Sequence, residues 1–126
     1  MEDTAVTSER AALELARILS EHRGGDVVVL DLSVQAGWTD YFVIATATSG
    51  THLRGLARFV DDSAPALGLA RLSRHSTADD DEWILVDFGT VVVHLMTERA
   101  RSFYELEKLW FLAPATKIES PAGASA

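Results

Sequence analysis

The sequence predicts a single α/β domain: one mixed β-sheet with helices packed on it. Three observations lead there. Apolar stripes at helical spacing alternate along the chain with short apolar runs rich in β-branched residues. Two such runs flank Gly89-Thr90, close enough to pair as a hairpin. The apolar residues of the run Tyr41 to Ala47 are continuous rather than alternating, as expected of a strand at least partly covered on both faces.

Taken in order, residues 1–7 are polar and are expected to form a flexible N-terminus. Ser8 is the candidate cap of a first helix, with Glu9 in its first turn. Ala12, Leu15, Ala16 and Leu19 share one face of it, and Gly24-Gly25 stops it after His22 and Arg23. "DVVVLDLS", opened by Asp26, holds a strand over Val27 to Leu32, and Tyr41 to Ala47 a second. Ser49 or Thr51 caps the next helix, whose apolar stripe is Leu53, Leu56, Ala57 and Val60 with Phe59 beside it. Pro65 ends or kinks that helix. Leu69 to Leu72 is the candidate edge strand, and the polar stretch after it reads as a loop closed by the solvated "DDDE" of Asp79 to Glu82.

The hairpin "WILVDFGTVVVHLM" follows. Alternation puts Trp83, Leu85 and Asp87 on one face and Ile84, Val86 and Phe88 on the other. Both sets are largely apolar, the pattern either of a second contact surface or of a strand packed on both faces inside a larger fold. Thr97 is the candidate cap of a last helix with Glu98 in its first turn, carrying Ala100, Phe103, Leu106 and Trp110 on one stripe. The folded unit is expected over residues 8–114, followed by a flexible C-terminal tail over 115–126.

Composition narrows the chemistry. There is no cysteine, so disulfides, thiolate metal sites and a cysteine nucleophile are excluded. Nineteen acidic residues against 11 basic ones give a formal charge of -8. Such a chain is repelled by free nucleic acid and by anionic lipid at long range, and its charge either serves solubility or steers it toward a basic protein surface. No run approaches the length of a membrane span, and no basic start with an apolar stretch marks secretion, so a cytoplasmic protein is expected.

No catalytic set stands out. His22, His52, His75 and His94 have no zinc-ligand spacing, and a Gly-x-Ser-x-Gly elbow is absent. His94 lies within an apolar strand and reads as a hydrogen-bonded structural residue, while His52 at a helix start suits a bond to a neighbour or a partner. Asp31, Asp40 and Asp87, each at or beside a strand, are the one candidate magnesium set. No glycine-rich phosphate loop accompanies them. No metal, no cofactor and no catalytic set are therefore expected, with a metal-dependent phosphoryl-transfer enzyme on these three carboxylates as the alternative.

Three blocks, "LDLS…TDYFVIATATS", "DEWILVDFGTVVVHLM" and "ARSFYELEKLW", resemble the ribosomal silencing factor family, also called the Iojap or RsfS family. The likeness covers about residues 8 to 114 and keeps the blocks in order. The family pattern falls on Asp40 to Ile44, Ser49, His52, Trp83, Asp87, Gly89, His94, Phe103, Tyr104 and Leu106 to Trp110. Thr51 stands where members often carry arginine, and Thr90 where they often carry aspartate.

The resemblance implies a nucleotidyltransferase-like α/β fold without enzymatic activity, with a metal-dependent nucleotidyltransferase-like enzyme carrying Asp31, Asp40 and Asp87 around magnesium as the alternative. It implies a translational repressor that binds a ribosomal protein on the intersubunit face of the large ribosomal subunit and blocks joining of the small one. Organellar relatives act in large-subunit assembly, and family members often pair as dimers, so a homodimer through the open sheet face is a further expectation. The expected partner-binding residues are Trp83, Asp87, Tyr104, Glu105, Lys108 and Trp110. Their aromatics would anchor and their charges would steer. Little or no binding to free nucleic acid, and none to membranes, is expected.

Overall fold

The computed structural model describes residues 7–34, 39–76, 82–104, 108 and 113–118, with 73–76 and 103–104 by backbone only. Its elements run α1 (Ser8–Glu21), β1 (Gly25–Asp31), β2 (Tyr41–Ala47), α2 (Gly50–Ser63), β3 (Ser73–Ser76), β4 (Trp83–Asp87), β5 (Val91–Thr97), α3 (Glu98–Tyr104) and β6 (Ala115–Ile118). They build one six-stranded mixed sheet in the order β3-β4-β5-β2-β1-β6. Among the described residues, only β2 and β5 run parallel, pairing Tyr41 with Val91 through Ala47 with Thr97. The α/β class with a mixed sheet and packed helices is as the sequence predicts.

Local chemistry explains the boundaries. α1 is capped one residue earlier than expected: Thr7 Oγ1, not Ser8, accepts from Arg10 N at 3.1 Å. At the other end, Arg23 N bonds Ser20 O and Gly24 N bonds Leu19 O at 2.7 Å, a Schellman closure. The left-handed residue is Arg23 (φ 73°) rather than a glycine. Gly24 is required for a different reason: a Cβ there would stand 2.8 Å from the Leu19 carbonyl oxygen. α2 is capped by Ser49, whose Oγ accepts from His52 N at 3.1 Å; Thr51 takes no part in the cap.

Two strand assignments change. Leu69 to Leu72 is not the edge strand. A 3-10 turn at Pro65–Leu67 and the left-handed Gly68 (φ 74°) turn the chain first, and Leu69 N bonds back to Ala64 O. The edge strand comes four residues later, on polar residues that read as loop, because β4 offers a free ladder there: Ser73 pairs with Asp87 and Ser76 with Ile84. Likewise the folded unit does not close at Pro114. Residues Ala115 to Ile118 form β6, pairing Val27 with Ile118 and Leu30 with Ala115 along the open edge of β1.

The central strands β1, β2 and β5 are largely buried on both faces. On one, α1 and α2 bury Leu15, Leu19, Leu53, Leu56 and Val60 against Val43, Leu95 and Val86. On the other, Val28, Leu30, Phe42, Ile44, Val92 and Met96 are covered by Ala100 of α3 and by Ala113. The second face is thus covered at its centre. What stays half-exposed at its rim is β4, where Trp83 and Leu85 pack against that cluster. Among the described residues, no helix is long and apolar enough to cross a membrane.

Candidate functional site

The site grows from the β4–β5 hairpin. Its register sets Trp83 opposite Met96, Leu85 opposite His94 and Asp87 opposite Val92. Ile84, Val86 and Phe88 go into the core under α2, and Trp83, Leu85 and Asp87 line the half-exposed rim, as strand alternation requires. Trp83 Nε1 donates to His94 Nδ1 at 3.3 Å, and the two rings lie 5.9 Å apart. Phe42 packs on the same imidazole at 4.4 Å, tilted by 59°. Because Nδ1 accepts, a neutral His94 carries its proton on Nε2. That nitrogen is buried and meets no hydrogen-bond partner among the described residues. Burial pushes the imidazole down to about 4, so it is uncharged at neutral pH.

Asp87 has a local role as well. Its Oδ1 accepts from Gly89 N at 2.7 Å, which holds the hairpin turn in shape. Gly89 takes φ 86°, and a Cβ on it would meet Leu72 Cδ1 at 3.3 Å. Glu82, which the sequence places in a solvated run, instead ties the start of β4 to the start of α3. It accepts from Thr97 Oγ1 at 2.7 Å, and Thr97 Oγ1 accepts in turn from Ala100 N at 3.3 Å. Arg101 fastens α3 further, reaching Thr46 Oγ1 at 2.8 Å and Gly25 O at 3.4 Å. The helix and the strand rim are therefore held on one side of the sheet.

Of the six expected contact residues, Trp83 and Asp87 share the rim. Tyr104 ends α3 in backbone, and its side chain lies outside the described residues. Lys108 is helical and exposed. Glu105 and Trp110 lie outside the described residues. Leu85 joins Trp83 and Asp87 on the rim and His94 lies buried beneath it, and neither belongs to the expected set. The hairpin register about Gly89-Thr90 is the signal that finds His94, the polar member of an apolar strand, diagonal to Trp83.

The magnesium alternative meets a different arrangement. Asp31, Asp40 and Asp87 lie toward one end of the sheet, since Asp31 pairs with Tyr41 and Tyr41 with Val91. The carboxylates nonetheless do not converge. Asp31 Oδ1 accepts from Ser33 Oγ at 2.7 Å and Ser33 N at 3.0 Å, and those bonds hold it below the usual carboxylate range. Asp87 is turned onto Gly89. Among the described residues, no group of three His, Asp or Glu side chains is placed to hold a metal ion. His52 is likewise engaged inside the fold: Nδ1 accepts from Thr48 N at 2.9 Å, and Nε2 donates to His22 O at 3.0 Å.

The family model described as "Ribosomal silencing factor during starvation" matches residues 5–126. A ribosomal silencing factor from Treponema pallidum is 37% identical over 106 residues, 83% of this chain and 94% of that protein. One from Bacillus subtilis is 32% identical, covering 89% of this chain and 95% of its own length. A mouse protein named for mitochondrial assembly of the ribosomal large subunit is 33% identical over 78% of this chain but only 44% of its own length. A crystal structure of a Chromobacterium violaceum protein superposes with a TM-score of 0.71 at 26% identity, covering 92% of this chain and 94% of that one.

Proposed function

The chain belongs to the ribosomal silencing factor family, and from that premise we propose that it docks on a protein at the intersubunit face of the large ribosomal subunit and sterically blocks joining of the small subunit. The half-exposed Trp83–Leu85–Asp87 rim carries this reading. It supplies an apolar anchor with a carboxylate beside it, on a face where α3 is fixed by Glu82 and Arg101. A blocking factor needs affinity and bulk rather than bond-making chemistry. The charge of -8 favours encounter with a basic ribosomal protein over direct contact with RNA phosphates. The mouse relative's name points to the large subunit as the particle concerned.

The contact set is Trp83, Asp87, Tyr104, Glu105, Lys108 and Trp110. Trp83 acts as the buried anchor of the interface, and the charged residues steer encounter and set the register. Co-sedimentation of the purified chain with purified large and small subunits tests the assignment. Binding to large subunits, weakened at least tenfold by Trp83→Ala in a folded variant, is the expected outcome. No co-sedimentation, or equal binding by Trp83→Ala, refutes it.

A further inference from the structure

We propose that His94 is a positioning residue for the docking surface: its Nδ1 holds the Trp83 indole by the N–H, so the exposed side of that ring meets the partner in one preset orientation. The role rests on the docking reading above.

The geometry carries it in three ways. First, His94 sits on β5, which is laddered to β4 on one side and β2 on the other, so its backbone is fixed on both edges. It is only 3% exposed, and Phe42 packs against its ring at 4.4 Å. Second, every neighbour along the strand from Val91 to Met96 is apolar and buried. A valine or leucine would fill the site without desolvating a polar ring. The imidazole leaves Nε2 buried with no partner among the described residues, which costs stability. What it brings that an aliphatic side chain lacks is an acceptor 3.3 Å from Trp83 Nε1. Third, Trp83 is half-exposed at the rim, and an indole held in one orientation before binding loses less rotamer freedom on docking. Burial keeps the imidazole neutral, which preserves the acceptor at neutral pH.

The test uses the full chain and has two arms. In nitrogen-15-labelled protein, the Trp83 indole N–H signal is assigned by its absence in Trp83→Phe. It is expected to show scalar coupling to a His94 ring nitrogen across the hydrogen bond. In the second arm, affinity for purified large subunits is measured for His94→Leu, His94→Asn, Trp83→Phe and the Trp83→Phe/His94→Leu double variant. His94→Leu is expected to weaken binding roughly tenfold, about the worth of one good hydrogen bond. His94→Asn, which keeps an acceptor oxygen near the Nδ1 position, recovers most of the loss. In the Trp83→Phe background, His94→Leu adds no further loss, because the partner it acts through is gone.

Absence of the coupling overturns the bond itself, and needs no His94 variant to show it. Coupling with unchanged affinity in His94→Leu, or an undiminished further loss in the Trp83→Phe background, overturns the positioning role. Failure of the wild-type chain to bind large subunits sinks the docking reading and this role together, whatever the coupling shows.

Discussion

Replacing His52 with alanine separates a fold-internal latch from a partner contact. The imidazole joins the end of α1 to the start of α2. Nδ1 accepts from Thr48 N at 2.9 Å and Nε2 donates to His22 O at 3.0 Å. His22 is the C-cap of α1, so its carbonyl is one of those a helix end leaves without an intrahelical partner. The His22 ring in turn stacks on Phe59 at 3.6 Å and 12°. Each bond is worth about 1 kcal/mol net, and the freed groups lie near enough to the surface to rebind water in part. His52→Ala is therefore expected to cost about 1–2 kcal/mol, and to lower Tm by roughly 4–8 °C in a domain of this size. Denaturant unfolding at fixed pH with an unchanged m-value measures it. Affinity for large subunits should stay at the wild-type level. Unchanged stability with lost binding would refute the latch and move His52 into the interface.

Three further outcomes are expected. His94 has its folded value lowered to about 4 from 6.5, so the unfolded chain binds the extra proton first as pH falls. Stability should therefore drop from pH 6.5 downward through about 4, by up to about 3 kcal/mol, and His94→Leu should flatten that slope in pH-dependent urea melts. Asp87→Ala removes the acceptor for Gly89 N and is expected to cost about 1 kcal/mol by chemical denaturation, whereas Asp87→Asn keeps most of it. Gly24→Ala drives a Cβ to 2.8 Å from the Leu19 carbonyl and should cost about 1–3 kcal/mol, while Gly55→Ala, with open space around it in α2, should be neutral to stabilising.

The fold is legible in the sequence where side chains carry the signal. Tyr41 to Ala47 is a largely apolar run long enough for one strand and too short for a helix, and it forms β2 over those residues. The hairpin strands declare their faces by alternation, so the shared face of Trp83, Leu85 and Asp87 follows from residue order alone. β3 and β6 are not readable this way. Ser73 to Ser76 has no apolar period, and Ala115 to Lys117 are exposed; backbone ladders to β4 and β1 make both strands. The parallel β2–β5 pairing is a long-range choice that no local pattern encodes. The three aspartates illustrate the opposite error. Their positions near strand ends suggest convergence, but short-range bonds to Ser33 and Gly89 turn two of them back onto their own loops. His94 is legible as a structural histidine from its apolar neighbours, yet its tie to Trp83 requires the hairpin register.

The most direct measurement is a subunit-joining assay. Purified large subunits are preincubated with increasing amounts of the chain, small subunits are added, and joined particles are followed by light scattering. The steric account predicts that joining falls as the chain saturates large subunits, and that folded Trp83→Ala restores it at the same concentration. Normal joining by large subunits shown to carry the bound chain would contradict it.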